Sequence, residues 1–173
     1  MAARVDRQSS VEPIHSIGSD PARLDVRLMT MVLLDANVLV YLASPSSPRS
    51  AACQTAVEKI IERGDRPAIS AQVLYEFWCV ATRPAAANGL GWPVSEARRA
   101  IAGFRREFDI LHDPPEVLDI WLDLVVACNL KGKRIHDAHL LATMKANSVS
   151  TMLTFNASDF PAVSGLTILN PES

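Results

Sequence analysis

The sequence predicts an α/β fold: a three-layer α/β/α sandwich around a central, mainly parallel five-stranded sheet. Two observations predict it. From residue 31 onward, short apolar runs alternate with longer stretches of helical periodicity, and strands separated by helices become parallel neighbours through right-handed crossovers. Capping residues, prolines and glycines mark the boundaries between these segments.

The elements follow in order. Residues 1–28 are polar, proline-punctuated and without periodicity, and are read as a disordered tail ahead of a single domain over residues 31–170. The tail lacks the apolar stretch of a secretory signal. Met29 and Met31 stand just before the first strand and are candidate starts, on which reading the tail is expected to be dispensable. Val32–Leu34 reads as the first strand. Ser47 can cap a helix with Pro48 in its first turn, and Cys53, Ala56, Val57, Ile60 and Ile61 form its apolar face up to Gly64. "RPAIS" is a buried strand ending at Ser70, a plausible cap for a helix through Thr82. Asn88-Gly89 marks a turn in the loop that follows. Ser95 opens a helix to Arg106, "FDILH" is the third strand, and helices span 116–129 and 135–146. "VSTMLTF" and "LTILN" supply the last two strands.

The 173 residues, 49% of them hydrophobic, suffice for one domain with a sizeable core. A net charge of −2 does not announce a nucleic-acid binder, although local patches matter more than the sum. Cys53, Cys79 and Cys128 are odd in number, widely spaced and set among apolar residues, as expected of reduced core thiols in a cytoplasmic protein. No apolar run approaches the roughly 18 residues of a membrane span, so no membrane association is expected.

"MVLLDANVLV" places Asp35 and Asn37 inside an apolar stretch, where a carboxylate without a partner is costly. In a doubly wound sheet, functional groups gather beyond the carboxyl ends of the strands, and Asp35 sits at such an exit. Glu76 falls about 60° from Val73 on the helical wheel, at the edge of the apolar face of its helix. Asp137 occupies the first turn of another helix, where the dipole favours it. Asp159 follows a strand, with Thr154 and Asn156 in the same exit loop. Taken singly, each acid has an ordinary explanation as a flank, dipole or turn residue. Together they meet on one edge of the sheet, where like charges a few ångströms apart repel by roughly 4 kcal/mol per pair at an effective dielectric of 20. Such a group requires cations, and hard oxygen ligands select Mg²⁺ or Mn²⁺.

"MVLLDANVLVYL", the helix carrying "YEFW", "RIHDAHLLATMKAN" and "TMLTFNASDF" resemble, in order and spacing, the four signatures of PIN domains, and most nearly those of VapC toxins. The resemblance covers about residues 31–170. It implies a PIN-like fold and a metal-dependent endoribonuclease that cuts RNA and is held inactive by a small VapB-like antitoxin, with a homodimer as the usual assembly. It carries Asp35, Glu76 and Asp137 onto the three family carboxylates that hold metal, with Asn37 orienting Asp35; the mechanism expected has Asp35 and Asp137 holding Mg²⁺ or Mn²⁺ and Glu76 and Asp159 completing the shell directly or through water. The fourth acidic position falls to Asp159, with Asn156 or Thr154 bonding a water of the ion. Some family members place an acid where Asn156 stands, which leaves one or two ions open. Lys133 and Arg134, beside Lys131 just before Asp137, are candidate phosphate contacts, as are Arg98, Arg99, Arg105 and Arg106 on one helix. His136 and His139 read as packed or solvated, and Trp78 as a packing residue.

Two rivals remain. A PIN fold that has lost catalysis would serve as an RNA-binding scaffold. A phosphatase with an aspartyl nucleophile would also place its aspartate after the first strand, but usually with a second aspartate where this chain has Asn37.

Overall fold

The computed structural model describes residues 29–173. The expected tail over residues 1–28 lies outside them. Among the described residues, five strands form one sheet: β1 (Met31–Leu34), β2 (Arg66–Ser70), β3 (Asp109–Leu111), β4 (Thr151–Leu153) and β5 (Thr167–Leu169). Their order is β3-β2-β1-β4-β5, and all four pairings are parallel. The helices are α1 (Ala36–Leu42), α2 (Ser50–Glu62), α3 (Ala71–Thr82), α4 (Val94–Glu107), α5 (Val117–Ala127) and α6 (Arg134–Ala146).

The chain winds outward from β1 through β2 to β3, then returns across the sheet to β4 on the other side of β1. Right-handed crossovers therefore place α1–α4 over one face and α5 and α6 over the other. The packing agrees, because α1 contacts α2 and α3, α3 contacts α4, and α5 contacts α6. Strand order reverses between β1 and β4, so a crevice opens beyond their carboxyl ends.

Leu33, Leu34, Ile69, Met152 and Leu153 are buried in the sheet, the near-continuous apolar character expected of parallel strands covered on both sides. Phe77 on α3 is fully buried and meets Phe104 of α4 edge-on, with ring centres 5.2 Å apart. The Ser70 side chain accepts a hydrogen bond from the Val73 N–H, capping α3 as its position suggests. Asn88 adopts the left-handed conformation at the Asn-Gly turn.

Several expectations need correction. The segment after Asp35, an apolar run with no helical signal of its own, is a seven-residue helix, α1; it buries Ala36, Val38 and Leu39. Ser47 does not cap α2. Its carbonyl accepts from Ser50 N–H in a turn through Pro48, and the helix starts after Arg49. Likewise α4 begins at Val94 after Pro93, not at Ser95. The last two strands are shorter than their apolar runs. Ile61 lies exposed rather than on the apolar face of α2. Of the three free thiols only Cys53 is a core residue, since Cys128 is half-buried and Cys79 is exposed on α3.

Candidate functional site: an acidic cleft at the switch point

β1 ends at Leu34, and its ladder continues one residue further, because Asp35 N–H donates to the Leu153 carbonyl of β4 at 3.0 Å. This pins Asp35 to the point where strand order reverses. Its side chain is 7% exposed and heavily bonded. Oδ1 accepts from the Ala36 N–H at 2.6 Å, while Oδ2 accepts from Asn37 Nδ2 at 2.7 Å and from the Thr154 hydroxyl at 2.6 Å. Three donors on one carboxylate, one of them a backbone N–H opening α1, favour its charged form.

Thr154 is fully buried and links the two strand exits. Its one hydroxyl hydrogen goes to Asp35, and its oxygen accepts from Asn37 Nδ2 and from Asn156 N–H, both at 3.0 Å. It stands behind Asp35 and is not part of the cleft wall.

The cleft has a volume of about 350 Å³. Asp35, Asn37, Glu76, Asp137, Asn156 and Asp159 all line it, with Val40, Tyr41, Leu140 and Phe160 among its apolar walls. Residues spread over 125 positions of sequence are thus brought to one pocket by the exit of β1, the second turn of α3, the first turn of α6 and the loop after β4. Lys133 and Arg134 remain exposed at the start of α6 and do not border the cleft.

The carboxylates feel one another. The Asp137 carboxyl is pushed up to about 6, first by burial and then by the negative charges of Asp159, Glu76 and Asp35, with His136 opposing. Asp35 is also raised. Burial is the main cause and Glu76 and Asp159 add to it, against the lowering hydrogen bonds from Thr154 and Ala36. Both shifts are those of buried acids with further acids close by and no offsetting counter-charge, and an all-oxygen donor set suits a hard divalent cation. Among the described residues, no three His, Cys, Asp or Glu side chains are grouped tightly enough to enclose an ion as they stand. The donor chemistry fits a cation; a closed ligand shell would require side-chain movement or bridging water.

Sequence reasoning did not single out Gln72 or Asp113. Gln72 Nε2 donates to Glu76 Oε1 at 2.7 Å, and only the four-residue helical spacing could have signalled it. Asp113, just past β3, lies 3.6 Å from His139 Nε2, a contact with no trace in sequence separation.

No curated protein sequence matches the chain significantly. Solved structures share its fold. VapBC2 from Rickettsia felis bound to a promoter DNA fragment aligns with a TM-score of 0.62 at 16% identity, over 82% of this chain and 98% of that one. VapBC-1 from nontypeable Haemophilus influenzae gives 0.59 at 14%, over 83% and 100%. VapC20 of Mycobacterium tuberculosis, described as a toxin that cleaves the sarcin–ricin loop, gives 0.52 at 15%, over 76% and 98%. Among the described residues no helix is long and apolar enough to cross a membrane. The PIN domain model matches residues 32–166, from β1 to the threshold of β5 and across every segment that lines the cleft; the chain belongs to the PIN domain family.

Proposed function

We propose that this protein is a metal-dependent endoribonuclease and the toxin component of a VapBC-like toxin–antitoxin pair. The observation that carries the reading is the single cleft lined by Asp35, Glu76, Asp137 and Asp159 at the sheet's switch point. Membership of the PIN family supports nuclease chemistry. Structural likeness to VapBC complexes and to an RNA-cleaving toxin supports an antitoxin partner and an RNA substrate.

Asp35 and Asp137 would hold Mg²⁺ or Mn²⁺, with Glu76 and Asp159 completing the shell directly or through water. The bound cation supplies a Lewis acid that makes water nucleophilic and offsets the charge that builds on the phosphate oxygens during in-line attack. The protein's own part is orientation. Thr154 and Asn37 fix Oδ2 of Asp35 from behind, and the Ala36 N–H fixes Oδ1. Asn156 lines the same cleft as Asp159 and would hydrogen-bond a water or a phosphate oxygen there. Lys133 and Arg134, outside the cleft, would meet the RNA backbone beyond the cut site, which makes binding weaken with salt.

Purified protein freed of antitoxin is expected to cleave RNA with Mn²⁺ and to stop on addition of EDTA. Asp35→Ala, Glu76→Ala and Asp137→Ala should each abolish cleavage while keeping the folded circular dichroism spectrum. Full activity in Asp35→Ala would refute the assignment, and RNA retention without any cleavage would favour the scaffold reading.

A further inference from the structure

Gln72 and His139 have no part in the reading above, yet they tie a cleft carboxylate on α3 to α6. Gln72 lies one helical turn before Glu76 on α3. Its amide nitrogen donates to Glu76 Oε1 at 2.7 Å and, across to α6, to the His136 carbonyl at 3.0 Å. Its amide oxygen is 2.7 Å from His139 Nδ1. With two acceptors at the nitrogen, the sense of the amide is fixed, and His139 Nδ1 carries the hydrogen that the amide oxygen accepts. On the far side of the ring, Nε2 stands 3.6 Å from Asp113 Oδ2, beyond hydrogen-bond distance. Asp113 is anchored in turn, because its other oxygen accepts from the Thr143 hydroxyl at 2.6 Å. Thr143 is fully buried, so Asp113 is fixed to the core while the hydrogen-bonded set around Glu76 consists of Gln72, His139 and the His136 carbonyl.

This arrangement has two consequences. A glutamate side chain has three rotatable bonds, and ordering them when an ion binds costs conformational entropy unless they are already restrained; the Gln72 amide supplies that restraint. The same amide also bonds the carbonyl of His136, the residue before Asp137, so it bridges the two helices that carry Glu76 and Asp137.

We propose that Gln72, oriented by His139, is a positioning residue that sets Glu76 on α3 against Asp137 on α6 so that both carboxylates serve one cation. This rests on the metal-dependent site proposed above.

The test is Mn²⁺ binding to the full chain by isothermal titration calorimetry, with a thermal melt of each variant and ribonuclease kinetics alongside. Gln72→Met keeps length and volume but cannot donate. It is expected to bind Mn²⁺ roughly 10- to 100-fold more weakly, with kcat lowered and KM for RNA little changed. His139→Ala should weaken binding in the same direction and carries the test if Gln72→Met does not fold. His139→Asn, which keeps a nitrogen donor near the place of Nδ1, should restore affinity toward wild type. Wild-type Mn²⁺ affinity in folded Gln72→Met or His139→Ala, beside a wild type that does bind, overturns the positioning role alone. A wild type that binds no Mn²⁺ overturns the site itself, and this proposal with it.

Discussion

Asp35 shows how much depends on the donors around one carboxylate. It is buried beside other acids, and its charge is sustained by Ala36, Asn37 and Thr154. Thr154→Val keeps the shape of the side chain and removes the hydroxyl that Asp35 Oδ2, Asn37 and Asn156 all use. Denaturant unfolding should show a loss of about 1–3 kcal/mol, and unchanged stability would remove Thr154 from this role. Asp137 gives a second expectation, with a definite sign. Its carboxyl is raised to about 6 in the fold, so between pH 4 and 6 the folded state binds more protons than the unfolded chain, and stability falls as pH rises through that window. Asp35, also raised, acts in the same sense. In EDTA, melting temperature should decline over this range and level off above it. Asp137→Asn should flatten the decline and be more stable at pH 7 by about 1 kcal/mol once solvent screening is discounted. A melting temperature that climbs from pH 4 to 7 would contradict this. At the residue scale, Asp35, Glu76 and Asp137 were legible because a charge at a strand exit or in an early helical turn is visible in one dimension. Gln72 and Asp113 were not, because their meaning comes from what α6 brings to them.

At the scale of elements, the sequence was most informative where a local signal coincides with the tertiary demand. Ser70 ends β2 and caps α3, and its hydroxyl accepts from Val73 N–H at 3.3 Å. Ser70 is buried, so no water replaces the bond in Ser70→Ala, and a loss of about 1 kcal/mol is expected in chemical denaturation. Because α3 carries both Gln72 and Glu76, that variant should also loosen the cleft. The reading failed where tertiary contacts override local pattern. Helix α1 is only seven residues long, packs against α2 and α3 and sends Ala36, Val38 and Leu39 into the core, so it is apolar on several sides and shows no polar face for periodicity to reveal. Ser47 had the chemistry of a cap, but Pro48 turns the chain there. Arg49 then swings over the Phe155 ring, 4.7 Å from its centre, and bonds the Tyr41 hydroxyl and Glu172.

For the whole molecule, alternation of strand and helix was enough to foresee parallel strands between two helical layers. The order of those strands was not legible, because it depends on which side of β1 the chain returns to after β3. That return is what makes the site. It sets the β4 exit against the β1 exit, so that Thr154 reaches Asp35 and the loop with Asn156 and Asp159 lines the same cleft as Glu76 of α3 and Asp137 of α6. Burial first, and the neighbouring acids after it, raise the Asp35 and Asp137 carboxyls, and a divalent cation would offset that cost. The most direct measurement is anomalous diffraction at the manganese edge from crystals of the protein grown with Mn²⁺. The account predicts a peak in the cleft within bonding distance of Asp35 and Asp137 oxygens, lost in Asp35→Ala. An empty cleft at saturating Mn²⁺, or a peak bound only elsewhere on the surface, would contradict it.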